Sequence, residues 1–136
     1  MLTQTELAIT DYKRKVLIVD DEVAILFAYR KLIEKEGMAV DVCESLVAAI
    51  DFISAHDYFA VIADMRLEGI NNTDGISILH AIKKNQPGTK VILVTGHGNA
   101  EIKQMAYTLG AAHYFEKPIC PSIILDALNS LEVIRL

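Results

Sequence analysis

Short apolar runs alternate with stretches in which apolar residues recur every third or fourth position, and the pair repeats five times along the chain. The runs are Val16–Val19, Ala39–Cys43, Phe59–Ala63, Lys90–Val94 and Ala112–Glu116. A continuous apolar run of this length, bounded by turn residues, reads as a strand buried on both faces. The intervening segments read as amphipathic helices. The first carries Ile25, Ala28, Tyr29, Leu32 and Ile33 on its predicted inner face and stops at Gly37, which can take the left-handed conformation at a helix end. Ser45 is placed to cap the second, turning Ala49, Ile50 and Ile53 inward. The third opens at Asp74-Gly75, uses Ile78, Leu79 and Ile82, and closes at the turn Asn85-Gln86-Pro87-Gly88. The fourth runs from about Asn99 to Leu109, before Gly110. Pro121, a favoured first helical residue, opens the fifth, with Ile124, Ala127, Leu128 and Leu131 inward and its end almost at the C-terminus.

Uninterrupted strand–helix alternation predicts an α/β fold with helices on both faces of a parallel sheet. With right-handed crossovers the expected arrangement is a flavodoxin-like, doubly wound, five-stranded sheet of order 2-1-3-4-5. Asp41 interrupts the second run and makes it alternate more than the others, which places that strand at an edge. Residues 1–14 precede the first strand and read as an N-terminal arm, leaving 15–136 as one domain without repeats, low-complexity tracts or linkers.

Polar clusters follow the apolar runs at the same relative place. Asp20-Asp21 follows VLIV, Asp64 follows AVIA, Thr95 follows VILV, and Lys117-Pro118 follows HYFE. In an open parallel sheet the C-terminal strand ends share one edge, and ligand sites form in the crevice there. Three carboxylates, a hydroxyl and an ammonium would then meet. Crowded carboxylates repel unless a cation intervenes, and a hard divalent ion such as Mg²⁺ takes oxygen ligands while keeping waters for a phosphoryl oxygen. Lys117 adds a compact point charge for a carboxylate or phosphate. Gly96 and Gly98 leave the backbone beside Thr95 open to a ligand. Each residue also has an ordinary reading: Asp21 begins a helix, Asp64 caps a turn, Thr95 caps the fourth helix, and Lys117 is a solvated loop residue. The joint placement at four strand ends favours the site.

Composition narrows the classes. At 136 residues, with 52% hydrophobic and 23% charged residues, the chain can bury a substantial core. A net charge of −5, with Lys13–Lys15 as its basic cluster, argues against direct nucleic-acid binding. No apolar stretch approaches the ~20 residues that span a bilayer, and MLTQTELAIT lacks the form of a signal peptide, so a cytoplasmic setting without membrane insertion is expected. Asn71-Asn72-Thr73 matches a glycosylation acceptor that this setting leaves unused. Cys43 and Cys120 lack metal or redox spacing and read as reduced thiols.

The ordered set Asp20-Asp21, Asp64, Thr95 and Lys117-Pro118 resembles the receiver domain of two-component response regulators, over Lys15 to about Leu131. The resemblance implies that Asp64 is a phosphoacceptor whose carboxylate attacks a phosphohistidine on a histidine kinase or phosphotransfer protein. It implies Mg²⁺ held directly by Asp21, Asp64 and the Met65 carbonyl, with Asp20 acting through water. Thr95 and Lys117 would hold phosphoryl oxygens. Tyr114 matches the family's switch aromatic, a ring that turns inward as Thr95 moves towards the phosphoryl group; packing on an exposed strand face is its plainer reading. The Lys117-Pro118 bond matches the family's cis peptide. Output would pass through helix four, strand five and helix five to an output domain or downstream protein, with a homodimer through that face as a further outcome. The chemistry would be self-phosphorylation from a donor and slow dephosphorylation, not turnover of a substrate.

Departures from the family pattern concern the loop after Asp64. It reads Leu67-Glu68-Gly69 where Pro-Gly is common, and it is lengthened through Ile70-Asn71-Asn72-Thr73. Arg66 and His97 are placed to flank the path of hydrolytic water, as tuning residues or as plain surface polar groups. His56, His80 and His113 form no ligand spacing. Three other classes share parts of the pattern. A haloacid-dehalogenase-type phosphatase needs one residue between its two aspartates and a cap domain, against the adjacent Asp20-Asp21 here. A flavodoxin-like FMN carrier needs a Ser/Thr/Gly-rich loop where Asp20-Asp21-Glu22 stands. A receiver-like interaction module that is never phosphorylated is set against the intact five-residue site.

Overall fold

The structure, a computed structural model, describes residues 14–67 and 74–131. Strands β1 (Lys15–Val19), β2 (Ala39–Cys43), β3 (Ala60–Asp64), β4 (Lys90–Thr95) and β5 (His113–Glu116) alternate with helices α1 (Val23–Lys35), α2 (Leu46–Ala55), α3 (Asp74–Asn85), α4 (Ala100–Thr108) and α5 (Pro121–Ser130). The strands form one parallel sheet of order β2-β1-β3-β4-β5, as the alternation predicts, with the Asp41 strand at an edge.

Period-two alternation divides the strand residues between two cores. Leu17, Val19, Val61, Ala63, Val91, Leu93 and Tyr114 pack with α2, α3 and α4. Val16, Ile18, Val40, Ala60, Ile62, Ile92 and Val94 pack with α1 and α5. The middle strands read as unbroken apolar runs because both sets are buried. Helix boundaries follow local chemistry. The Ser45 hydroxyl accepts the Ala48 amide at 3.1 Å and Asn99 Oδ1 accepts the Ile102 amide at 2.8 Å. Gly37 and Gly110 adopt φ of 90° and 106° behind α1 and α4.

One predicted face is corrected. In α1 the buried stripe is Leu26, Tyr29 and Ile33, with Ile25 and Leu32 half-buried and Ala28 exposed. Leu26 and Ala28 stand on opposite sides of the Tyr29–Ile33 line, and the larger side chain takes the core. The expected N-terminal arm, apart from Arg14, and the lengthened loop after Leu67 lie outside the described residues. No described helix is long and apolar enough to cross a membrane. Cys43 and Cys120 are free, as expected.

The edge strand and the sheet's N-terminal end are held by polar contacts. The Asp41 carboxylate accepts the Tyr58 hydroxyl at 2.7 Å and pairs with Lys15 at 3.1 Å. Burial opposes ionisation of Asp41, but these bonds outweigh it and hold its pKa below the ordinary value. Gln86 closes the turn between α3 and β4. Its amide donates to the carbonyls of Ile53 (2.7 Å) and His56 (2.6 Å), and its Oε1 accepts the Tyr58 amide at 3.0 Å. Those carbonyls lie at the end of α2, where a helix leaves acceptors unpaired. Gln86→Ala should therefore lower stability by about 1–3 kcal/mol. The check is a lower urea midpoint at unchanged m-value, with the opposite edge of the sheet unaffected.

Candidate functional site

Parallel register brings the polar strand ends together. Val19 lies opposite Ala63, Asp64 opposite Val94, and Thr95 opposite Glu116. Backbone bonds extend the ladder past the strands, from the Asp20 amide to the Cys43 carbonyl (3.1 Å), from Met65 to Val94 (2.9 Å) and from Lys117 to Thr95 (2.7 Å). Asp20, Asp64 and Lys117 therefore converge at one edge. The Lys117–Pro118 bond is cis, as the resemblance implies.

Lys117 is the centre of the arrangement. Its Nζ donates to Asp20 Oδ2 at 2.9 Å, Asp64 Oδ2 at 2.9 Å and Glu22 Oε1 at 3.0 Å. The second oxygens are also occupied: Asp20 Oδ1 accepts the Glu22 amide at 2.9 Å and Asp64 Oδ1 accepts the Arg66 amide at 3.0 Å. Asp20 and Asp64 are 3% and 6% exposed. Burial raises the Asp20 pKa, the Glu22 amide and Lys117 pull it back, and the Asp64 charge adds to the rise. Burial works against the Lys117 charge too, but its bonds to Asp20, Asp64 and Glu22 prevail and raise its pKa above the ordinary value.

Oxygens of Asp20, Asp21, Glu22 and Asp64 lie within 4.8 Å of one another. An all-carboxylate donor set partly open to water suits a hard divalent cation. Above it is a cleft of about 370 Å³ lined by Asp21, Glu22, Asp64, Arg66, Gly96, His97 and Lys117, among others. Arg66 and His97 both stand on the cleft wall.

Thr95 is buried, and its Oγ1 accepts the His97 amide at 3.1 Å. Met65 is fully buried, and its carbonyl accepts the Gly75 amide at 3.1 Å, tying β3 to the start of α3. Sequence reasoning passed over Glu22 as a site residue; the available signal was a third consecutive acid after β1.

Tyr114 lies inward in this structure, 5% exposed in the core with α4. Its amide donates to the Tyr107 hydroxyl at 3.2 Å, joining β5 to α4. Its own hydroxyl is buried with no hydrogen bond of good geometry. Burial raises the phenol pKa, the Glu116 charge adds to this, and the Asn99 amide opposes it.

The sequence model for the response regulator receiver domain matches residues 16–129. The chain belongs to that family. An NtrX-like response regulator of Rickettsia felis is 39% identical over 103 residues, 76% of this chain and 22% of its own length. The acid tolerance regulatory protein ActR of Rhizobium meliloti is 32% identical over 115 residues, 85% of this chain and 58% of its own. The CheY-like receiver domain protein of Methanospirillum hungatei superposes with a TM-score of 0.77 at 27% identity, covering 88% of this chain and 97% of that one. The chain spans between about a fifth and three fifths of the length of these two curated relatives. Receiver domains are signalling modules of two-component systems that bind Mg²⁺ at an acidic pocket, and this receiver carries such a pocket.

The inward position of Tyr114 depends on Gly98. A Cβ there would overlap the Tyr114 hydroxyl, and it would stand 2.8 Å from Glu116 Oε1 and 2.9 Å from Thr95 Cγ2. Gly98→Ala should therefore expel the Tyr114 ring while preserving the fold, because the obstructed atom is the far end of a side chain. Ring-proton NMR should show Tyr114 losing its contacts with Leu93 and Ala106. A ring still packed on those residues would contradict this steric account.

Proposed function

We propose that this receiver accepts one phosphoryl group on Asp64 from a phosphohistidine of a histidine kinase or phosphotransfer protein, and relays it through Thr95 and Tyr114. The observation that carries the reading is the Lys117 ammonium, 2.9 Å from both Asp20 and Asp64 at the carboxyl edge of the sheet. One ammonium on two buried carboxylates beside an open acidic cleft combines a nucleophile, a charge partner and a cation site.

Asp21 and Asp64 would hold Mg²⁺ directly and Asp20 through water. Bound there, the ion would offset the negative charge of the carboxylates and the incoming phosphoryl group. The remaining work falls to the chain. The Arg66 amide and Lys117 fix both oxygens of Asp64, so that one presents a lone pair along a defined line. An Asp64 oxygen forms the new O–P bond while the P–N bond breaks, its electron pair leaving on the imidazole nitrogen. Such transfer relies on positioning and charge compensation more than on covalent help. Lys117 then donates to a phosphoryl oxygen, and the Thr95 hydroxyl donates to another. Arg66 and His97, on the cleft wall, tune the approach of the water that later hydrolyses the acyl phosphate. The domain is taken as residues 15–136 behind an N-terminal arm, in a cytoplasmic setting, with an output domain or downstream protein as its reader.

Incubation with acetyl phosphate and Mg²⁺ should add one phosphoryl mass to the chain. Asp64→Asn keeps the shape without the anionic nucleophile and should abolish the adduct; Asp21→Ala should slow its formation and raise the Mg²⁺ requirement. A full adduct on Asp64→Asn at a comparable rate would overturn the assignment.

Coupling to the far face runs through the α4–β5–α5 surface, with Met105, Tyr107 and Ile123 partly exposed on these helices. A ligand shifts such a surface only by favouring one of two conformations. Thr95→Ala should accept phosphate yet weaken the chemical-shift response of residues Ile102–Leu109 and Tyr114 to beryllofluoride. It should also suppress any homodimer formed through that face. A full distal response in this variant would exclude Thr95 from the route.

A further inference from the structure

We propose that Glu22 is a latch on Lys117 that must open before the ammonium can receive a phosphoryl oxygen, so that Glu22 sets how readily the site is charged. This positioning role rests on the phosphoacceptor reading above. An ammonium has three N–H donors. Here three carboxylate oxygens, from Asp20, Asp64 and Glu22, take all of them at 2.9–3.0 Å. A phosphoryl oxygen can bind Lys117 only in place of one of these.

The three partners are not equal. The side chains of Asp20 and Asp64 are 4% and 6% exposed, whereas that of Glu22 is 59% exposed. Releasing Asp20 would leave a buried carboxylate with the Glu22 amide as its remaining bond among those described, a costly state. Asp64 is the reacting group. Glu22 can turn into water at little cost, since an exposed ion pair is weakly held. It is therefore the partner that yields.

Local geometry holds Glu22 in place for this. It is the N-cap residue of α1, with φ −91° and ψ 103°, yet its side chain makes no capping bond. Its carbonyl accepts the amides of Ile25 (3.0 Å) and Leu26 (3.2 Å), and its own amide is held by Asp20. The backbone is thus fixed at both groups while the carboxylate reaches across to Lys117. Glu22 also lines the cleft, so the latch stands where the phosphoryl group must enter.

The test uses the full chain with Glu22→Gln and Glu22→Asp. Mg²⁺ affinity is measured first by NMR titration, then beryllofluoride affinity at saturating Mg²⁺, then the acetyl phosphate rate. Glu22→Gln should bind beryllofluoride on the order of two- to fivefold more tightly and be phosphorylated faster by a similar factor, from release of one exposed pair. Glu22→Asp keeps the charge but is one methylene shorter, so it should behave like Glu22→Gln. Wild-type behaviour in Glu22→Asp with a change in Glu22→Gln would mean a general field and not a latch. Unchanged affinities in both variants, or a loss confined to Mg²⁺ affinity, would also overturn the proposal. A wild-type chain that binds neither beryllofluoride nor a phosphoryl group would sink the phosphoacceptor reading and the latch together, whereas a competent wild type with unaltered variants would sink only the latch.

Discussion

Two carboxylates buried side by side require a compensating charge, and most of the architecture at the sheet's carboxyl edge follows from that requirement. Asp20 and Asp64 are nearly inaccessible to water, on adjacent strands. Their mutual repulsion and desolvation would oppose folding if both were ionised and alone. Lys117 answers this with one ammonium placed 2.9 Å from each. For that reach, the end of β5 must lie two strands from Asp64, and the Lys117 amide bonded to the Thr95 carbonyl holds it there. Such a cluster is weak evidence for stability. A hydrophobic filling of similar volume often serves a fold as well, and buried charge beside a cleft is the arrangement a chemical site requires.

The same edge is where the two cores differ. The face with α1 and α5 continues to the site through Ile18 and Ile62, which precede Asp20 and Asp64 by two residues on β1 and β3. The other face reaches it through Tyr114, which packs with Leu93 and α4. Helix α4 is lightly anchored: Ala106 is its buried residue, whereas α3 buries Gly75, Ile78, Leu79 and Ile82. A helix with little buried apolar surface is the element most easily shifted by a local change. The proposed coupling route from Thr95 through Tyr114 to α4 would therefore follow the softest packing in the sheet layer.

Much of this was legible in the sequence because it rests on period and order. The apolar runs and the residues that follow them depend on local spacing, so the strand order and the convergence of Asp20, Asp64 and Lys117 could be read from them. What escaped reading depends on tertiary reach or on phase. Leu26 and Ala28 are both apolar, and spacing alone does not say which of them the core selects. The bond between Glu22 and Lys117 spans the sheet, a reach that spacing along the chain does not show. The Met65 carbonyl, which the resemblance places among the ligands, also accepts the amide of Gly75. A Cβ at Gly75 would stand 2.8 Å from Met65 Cα, so glycine is what lets α3 pack this close to β3, a proximity that no motif spacing reveals.

The orientation of Tyr114 carries a physical consequence beyond its place in the core. An inward ring gains burial of its apolar surface, worth about 1.5–3 kcal/mol for a large side chain. It also leaves a buried hydroxyl without a well-formed partner, at a cost of about 1–3 kcal/mol. The two terms are of similar size and opposite sign, so packing alone gives neither ring position a large advantage. A nearly balanced side chain is moved by small differences in interaction, and the methyl of Thr95 adjoins the same glycine that the ring approaches. Under the proposed phosphotransfer, steric contact at Gly98, more than any hydrogen bond, would be what couples the sheet's carboxyl edge to α4.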